Sequence, residues 1–272
     1  MTIGDKNFTE QFLLGQLYKQ ALLAKGFSVS LNPNIGPTEV TIQALQSGRL
    51  GMYPEYLNTW NLAVAGKRHG FATVEAAYAS AEGYARVHGF RLLRPTPFSD
   101  TSAIAVTRGY AEENRLRTIE DLRPLSPSLI LGAPPQFEQA VGGLPALERV
   151  YGLSPATFKA LDVGGQYQAL DQGLVQAADV NTTDAQLARG SYDVLGDPRH
   201  VFGWGNVVPV VSAQVLEAEG PAFATTINRV SALLGTGTMR RLNAAVDLRH
   251  QDPVLVAKRF LRAHRVIPPP PS

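Results

Sequence analysis

Polar and aromatic side chains are concentrated in five short segments of the chain, each at a place where the sequence pattern ends a β-strand. They are residues 6–11, 53–60, 99–102, 181–184 and 202–206. In open α/β sheets, ligands bind where strands end. The residue types therefore predict a ligand-binding cleft at these strand ends.

Motifs that would support catalysis or metal binding do not occur in the sequence. The histidines are His69, His88, His200, His250 and His264. None follows the spacing of metal ligands, and the chain has no cysteine. A nucleophile elbow, a phosphate-binding loop and a complete dinucleotide fingerprint are also missing. We expect no catalytic residue, no metal and no cofactor.

Length and charge exclude several other classes of protein. The 272 residues fit one large domain or two moderate ones, and 44% of them are hydrophobic. Lysine and arginine number 25 against 23 acidic residues, without basic runs, so we expect neither nucleic acid nor a charged membrane surface as a partner. No segment approaches the roughly 18 consecutive apolar residues of a membrane span.

Strand-like and helix-like segments alternate along the chain and must position the five segments. A strand around Ile3 precedes a helix from Thr9, and a second set of alternating elements occupies residues 118–180. After a strand at 207–211, three helical stretches lead to the prolines at 268–271. This order predicts the α/β class, with parallel sheets flanked by helices and a second unit inserted into the first.

Several motifs resemble those of one protein family. They include Gly-Asp-Lys-Asn-Phe-Thr-Glu-Gln at residues 4–11 and Tyr-Pro-Glu-Tyr at 53–56. Further matching segments are residues 36–40, 143–153, 167–170, 182–184 and 206–211. In order and spacing they are similar to the glycine betaine, choline and carnitine (osmoprotectant) substrate-binding proteins of ABC importers. The resemblance covers almost the whole chain.

The resemblance implies a type II periplasmic-binding-protein fold, in which two α/β lobes are joined by a two-stranded hinge and close on a ligand. Lobe I would comprise residues 1–105 and 210–267, and lobe II residues 106–209. Residues 268–272 would form a proline-rich tail. Closure needs no covalent chemistry, because the ligand favours the shut state by its contacts with both lobes.

Carried over residue by residue, the resemblance is incomplete. Tyr56 matches one tyrosine of the cage that holds an ammonium group in betaine-binding relatives. Ser102, Asn181 and Gly205 stand where other cage tyrosines occur. Lys6 and Thr59 match residues that hold the ligand carboxylate, whereas Ala140 stands where relatives have an arginine. The resemblance therefore implies a related site with specificity altered from glycine betaine.

Other residues are candidates to complete this site. Trp204, Phe137, Phe202 or Trp60 could replace part of the cage, and Asn181, Asn206 and Asp100 would make the pocket more polar. The expected ligand-binding residues are Lys6, Asn7, Gln11, Tyr56, Thr59, Asp100, Ser102, Phe137, Asn181, Thr182, Trp204 and Asn206.

Two alternatives stay open at this point: an enzyme on the same bilobal fold, and the ligand-sensing domain of a regulator. For a receptor, the resemblance implies a small organic solute and the transmembrane permease subunits as partners, and we expect a monomer. Residues 1–5 have the pattern of a strand with no leader before it. We expect an extracytoplasmic protein, periplasmic or lipid-anchored at the cell surface, whose export signal is absent from this sequence.

Overall fold

The chain is divided into two units in a computed structural model that describes residues 1–67, 70–162 and 164–269. Unit 1 comprises Met1–Asp100 and Trp204–Ser272, and unit 2 comprises Thr101–Gly203. These limits lie five or six residues before the crossings expected from the sequence, because each strand that follows a crossing pairs within a single unit. His69 and residues 270–272 of the predicted tail lie outside the described residues.

Strands and helices alternate in both units. The strands are β1 (Thr2–Gly4), β2 (Ser30–Asn32), β3 (Met52–Tyr56), β4 (Phe90–Leu92), β5 (Ser102–Thr107), β6 (Ile130–Ala133), β7 (Thr157–Ala160), β8 (Ala177–Asn181), β9 (Tyr192–Val194) and β10 (Val207–Ser212). The α-helices are α1 (Thr9–Leu23), α2 (Thr38–Gln46), α3 (Leu57–Thr59), α4 (Val74–Val87), α5 (Arg108–Asn114), α6 (Leu144–Tyr151), α7 (Gln166–Asp171), α8 (Ala213–Glu219), α9 (Pro221–Ala232), α10 (Thr236–Asp247) and α11 (Pro253–Ala263). Short 3₁₀ segments span Ile119–Ser128, Pro135–Glu138 and Ala185–Arg189, and a π-helical turn spans Trp60–Val64.

Each unit contains one five-stranded sheet. The strand order is β2-β1-β3-β10-β4 in unit 1 and β7-β6-β8-β5-β9 in unit 2. The α/β class is confirmed, but the sheets are mixed instead of parallel: β10 runs antiparallel to β3 and β4, and β5 runs antiparallel to β8 and β9. Each of these two strands follows a crossing between the units, so it is not joined to its neighbour by the helical connection that a parallel pair requires.

Two apolar layers cover the sheet of unit 1, and alternation along the strands sends neighbouring side chains to opposite layers. Met52, Tyr56 and Val207 belong to the layer that contains α1 and α9–α11. Tyr53 and Val208 belong to the layer that contains α2 and α4. No helix in the described part of the chain is long and apolar enough to cross a membrane.

Helix α1 is the element that carries the first predicted segment. Leu13, Leu17 and Ala21 are fully buried at helical spacing, and the stripe packs against α11, α9 and α10. Phe8 is extended immediately before the helix, and Glu10 lies in its first turn. An acidic side chain is favourable there because the helix N-terminus carries partial positive charge. The helix therefore places Phe8 and Glu10 beside the strand ends of the sheet.

Asp5, directly after β1, is a buried carboxyl group with incomplete hydrogen bonding. Its Oδ1 accepts from the Asn34 amide at 2.7 Å, whereas its Oδ2 has no partner among the described residues. Burial raises the pKa of Asp5 from 3.8 to about 6, although the Asn34 hydrogen bond lowers it in part. Since the folded state holds the proton more tightly than the unfolded chain, stability decreases as the pH rises from about 4 through 6.

Replacing Asp5 with asparagine is expected to remove this dependence, because the amide oxygen still accepts from Asn34 and carries no charge. We expect the free energy of unfolding near pH 8 to rise by about 1–3 kcal/mol, since a pKa raised from 3.8 to about 6 corresponds to about 3 kcal/mol at full linkage. Urea unfolding of wild type and variant at about pH 5 and pH 8 measures the gain in stability near pH 8 and the loss of the pH dependence. If the free energy of unfolding of the variant differs between the two pH values as much as that of wild type, Asp5 does not cause the pH dependence.

Candidate ligand-binding site

The strand ends of unit 1 bring two predicted residues together. Lys6 follows β1 closely and Tyr56 ends β3, and these strands are adjacent and parallel, with Ile3 paired to Met52. Carboxyl ends of parallel strands meet at one edge of the sheet. The Lys6 ammonium accordingly lies 5.3 Å from the centroid of the Tyr56 ring.

Lys6 is part of a buried ion pair that the sequence did not predict. Its Nζ forms a salt bridge with Oε1 of Glu55 and donates to the Thr38 hydroxyl at 3.0 Å. The Thr38 hydroxyl in turn donates to Oε2 of Glu55 at 3.1 Å. The side chains of Lys6 and Glu55 are 7% and 0% exposed. The positive charge of Lys6 is therefore matched inside the protein.

The hydroxyl of Tyr56 is held by a second buried carboxylate. It donates to Oε1 of Glu10 at 2.8 Å, and Oε2 of Glu10 accepts from the Asn243 amide at 3.0 Å. Burial, followed by the nearby charges of Glu10 and Asp100, raises the pKa of Tyr56 well above its usual value. The phenol therefore stays neutral, and its hydroxyl serves as a hydrogen-bond donor.

Phe8 forms an aromatic pair with Tyr56 that the predicted residues did not include. The two rings are stacked, with centroids 6.0 Å apart and planes at 25°. Phe8 is 39% exposed although it is a large apolar side chain. In the sequence, the available signal was its place between the predicted binding residues Asn7 and Gln11. Phe8 is the accessible ring of this pair, because Tyr56 is 5% exposed and already has the Lys6 ammonium over its ring.

The remaining predicted residues of unit 1 lie in different surroundings. Asn206 directly precedes β10. Its side-chain amide donates to the Thr96 carbonyl at 2.9 Å, and its backbone carbonyl accepts from the Leu57 amide at 3.0 Å. Thr59 is half-buried in α3. Trp204 donates to the Phe71 carbonyl at 2.9 Å and packs against a different core layer from Tyr56.

Trp60 does not offer a face to a solute, which corrects one of the alternatives considered for the cage. Its ring is fully buried, and its indole nitrogen donates to the Ala81 carbonyl at 3.2 Å. Edge contacts with Tyr84 and Phe90 complete its packing. Trp60 is a core residue because the π-helical turn directs it between β4 and α4.

Three predicted residues of unit 2 lie together at the ends of β5 and β8. Ser102 is paired with Asn181 in the sheet. The Thr101 amide donates to the Thr182 hydroxyl at 3.1 Å, and the Thr182 amide donates to the Thr101 carbonyl at 3.0 Å. Asn181 is exposed, whereas Ser102 and Thr182 are half-buried. These polar groups line the end of the strand pair.

Phe137 is placed near the same edge by β6, which runs parallel to β8. Its ring lies in the 3₁₀ segment after β6, is 6% exposed, and has its centroid 6.3 Å from that of Phe202. Phe137 therefore packs mainly in the core of unit 2.

Asp179, the middle residue of β8 and paired with Ile104 of β5, is a buried carboxyl group that the sequence did not single out. It is 9% exposed and lies two positions before Asn181, on the same face of the sheet as Ser102. Its Oδ1 has no hydrogen-bond partner among the described residues. Burial raises the pKa of Asp179 to about 7; the Ser102 hydrogen bond opposes this shift, and the charge of Asp184 adds to it. A carboxylate kept in such surroundings is typical of a functional site.

The described residues contain no cluster of three or more potential metal ligands. A surface hollow of about 610 Å³ in unit 1 is lined by Met1 and Phe27 among others and includes none of the predicted binding residues.

The fold is that of the type II periplasmic-binding proteins. This class follows from the strand orders, the two crossings between the units and the residues at the strand ends. The fold is also that of a crystal structure described as a glycine betaine/carnitine/choline ABC transporter, with a TM-score of 0.92 at 24% identity, covering 98% of this chain and 99% of that one.

The family model for the substrate-binding domain of the ABC-type glycine betaine transport system matches residues 1–263, and the chain belongs to this family. It is 30% identical to the glycine-betaine-binding protein of Pseudomonas aeruginosa, over 98% of this chain and 88% of the relative. It is 32% identical to the glycine betaine-binding protein YehZ of Escherichia coli, over 96% and 89%. The family supplies extracytoplasmic solute-binding components of importers, which in general are not enzymes.

Proposed function

We propose that this protein captures a small quaternary-ammonium or related osmolyte-like solute outside the cytoplasm and delivers it unchanged to the permease of an ABC importer. The observation that carries the proposal is the stacked pair of Phe8 and Tyr56. The Tyr56 hydroxyl donates a hydrogen bond to the buried carboxylate of Glu10. Ring faces beside negative charge attract an ammonium group that has no N–H to donate.

We further propose that the predicted binding residues of each unit contact solute. Lys6, Asn7, Gln11, Tyr56, Thr59, Asp100, Trp204 and Asn206 are the proposed residues of unit 1, and Ser102, Phe137, Asn181 and Thr182 those of unit 2. Support comes from each unit taken alone, since Tyr56 and Asn181 each end a strand of their own sheet. Replacing either Tyr56 or Asn181 should then weaken solute binding.

A solute that binds one state of the receptor more tightly than another shifts the equilibrium toward that state, and no covalent step is required. The family membership supports this receptor over an enzyme. We propose that the receptor acts as a monomer, with the permease subunits as its protein partners.

Calorimetric titration with glycine betaine, choline and carnitine tests the proposal. In a separate unfolding measurement, a solute present at about a hundredfold its Kd should raise the free energy of unfolding by about 2.7 kcal/mol. Mass spectrometry after prolonged incubation should recover the solute intact. Failure of all three to bind would contradict the proposed solute class, and a reaction product would contradict a receptor.

A further inference from the structure

We propose that helices α10 and α11 of unit 1 form a surface that binds the headgroups of anionic phospholipids, so that the receptor is held at the face of a membrane. This surface is called the basic face, and its residues are Arg241, Arg249, Lys258, Arg259 and Arg262. It belongs to unit 1 alone and contains none of the candidate solute-binding residues.

Positive charge is concentrated in the last helices of the chain. Residues 221–267 contain eight lysine and arginine residues against two aspartates, although the whole chain has 25 basic and 23 acidic residues. The rest of the chain is therefore acidic overall. The sequence shows no basic run because the eight residues are spread over three helices and their connections, which is why charge patterning alone predicted no membrane partner.

Helix α11 directs its charged side chains away from the protein. Val256 and Leu261 are buried in the core of unit 1. Lys258, Arg259 and Arg262 lie on the opposite side of the helix, because residues three and four apart share one helical face. Lys258 and Arg259 are exposed and Arg262 is half-buried. Three cations therefore lie side by side on the outer face of α11.

Side-chain contacts join the end of α10 to the outer face of α11. The Arg249 guanidinium donates to the Arg241 carbonyl at 3.4 Å, and both residues are exposed. Gln251, two positions after Arg249, accepts a hydrogen bond from the guanidinium of Arg259. These contacts make the basic face one continuous surface.

The cations of the basic face have no charged partner. None of them forms a salt bridge with a described residue. Their side-chain hydrogen bonds go to neutral oxygens, namely the Thr238 hydroxyl, the Gln251 amide and one backbone carbonyl. The aspartates of the segment are engaged elsewhere: Asp247 accepts from the Thr9 hydroxyl, and Asp252 accepts from a backbone amide at the start of α11. The positive charge therefore remains available to a partner outside the chain.

Two exposed apolar side chains lie beside these cations and favour a lipid surface as the partner. Leu255 is 55% exposed and shares the outer face of α11 with Lys258 and Arg262. Val254, next to it, is 41% exposed. In a bilayer, anionic headgroups attract basic side chains while neighbouring apolar side chains enter the boundary with the acyl chains. A nucleic-acid backbone offers the negative charge without the apolar layer.

A membrane-bound location suits a component of an importer, because the permease is embedded in the same membrane. A receptor concentrated at the bilayer surface meets the permease more often than one distributed through the surrounding volume.

Co-sedimentation with lipid vesicles tests the proposal. Vesicles of phosphatidylcholine and phosphatidylglycerol in equal amounts are compared with vesicles of phosphatidylcholine alone at about 50 mM salt. Each basic residue near an anionic membrane contributes about fivefold to the partition coefficient. Wild-type protein is expected to partition at least about a hundredfold more strongly to the anionic vesicles, and about 500 mM salt should remove most of this difference.

The triple variant Arg249→Gln, Lys258→Gln, Arg259→Gln removes three exposed charges of the basic face. It is expected to lower partitioning to the anionic vesicles by at least about thirtyfold. Its fold is checked by circular dichroism. If it does not fold, the single variant Lys258→Gln replaces it, with an expected loss of about fivefold.

The matched control is the triple variant Arg49→Gln, Arg117→Gln, Arg189→Gln, which loses the same charge at exposed positions outside the basic face. Its partition coefficient should stay within about threefold of wild type, because charges distant from the bilayer are screened. An equal loss in both triple variants would show that overall charge, and not the basic face, is responsible.

Two further outcomes would overturn the membrane assignment. One is equal partitioning of wild type to the two kinds of vesicle. The other is binding to a DNA duplex of about 20 base pairs that is tighter than binding to the anionic vesicles. Solute affinity, measured by calorimetry, should be the same in wild type and both triple variants, so failure of the membrane proposal and failure of the proposed function are seen separately.

Discussion

Glu55→Gln is expected to lower the free energy of unfolding by about 3–5 kcal/mol, because it leaves the ammonium of Lys6 buried without its partner charge. Glu55 has no exposed surface and accepts from Thr38 and from the Tyr56 amide, at 3.1 and 2.7 Å, in addition to its salt bridge with Lys6. The glutamine oxygen retains a neutral acceptor, so most of the loss is electrostatic. Urea unfolding monitored by circular dichroism measures the change.

The matched double variant Lys6→Met, Glu55→Leu removes both charges together and should recover most of the lost stability, since buried ion pairs are often replaceable by apolar side chains of similar volume. Glu82→Gln is the surface control: its pair with Arg86 is 2.8 Å long but exposed, and the unfolding midpoint should not change. A Glu55→Gln effect no larger than that of Glu82→Gln would show that the Lys6 pair does not stabilise unit 1.

Tyr56→Leu is expected to weaken binding of the best-bound solute by at least about thirtyfold, equivalent to roughly 2 kcal/mol for a desolvated cation–π contact. Leucine fills much of the buried volume but removes the ring face and the bond to Glu10. Calorimetric titration of each variant, after confirmation of its fold by circular dichroism, gives the affinities.

Two comparison variants separate the ring of Tyr56 from its hydroxyl. Tyr56→Phe keeps the ring face, so its affinity should stay within about threefold of wild type, while loss of the Glu10 bond lowers stability by about 1–3 kcal/mol. Phe8→Ala removes the half-exposed stacked ring and should weaken binding by about threefold to tenfold, in line with one partly solvated ring. Unchanged affinity in Tyr56→Leu would place the site elsewhere.

Local patterns predicted the elements well where one short segment contains all the relevant residues. The helical spacing of Leu13, Leu17 and Ala21 predicts α1, and its buried stripe is the one that packs. The strand directions were not accessible in the same way. The antiparallel pairing of Val207 with Tyr56 joins the two separate chain segments that form unit 1. Residue spacing within one segment carries no information on that pairing.

The charged partners of Lys6 and Tyr56 were likewise not predictable from the local sequence. Lys6 and Tyr56 were predicted from the family resemblance, and Lys6 also from its place after the first strand, but Glu55 and Glu10 were not identified as the groups that hold them. Each contact joins distant positions, 49 residues apart for Lys6 and Glu55 and 46 for Tyr56 and Glu10. Asp179 looks like an ordinary strand residue in the sequence, and only its burial beside Ser102 distinguishes it.

The sequence by itself therefore determined the α/β class, the family resemblance and the segments that bear the binding residues, because hydrophobic periodicity and short motifs are local properties. The tertiary structure alone decided that Lys6 is neutralised, that Phe8 stacks on Tyr56 and that Asp179 has a buried oxygen without a donor. The physical reason is that charge state, desolvation and ring contact depend on which distant side chains share a buried volume.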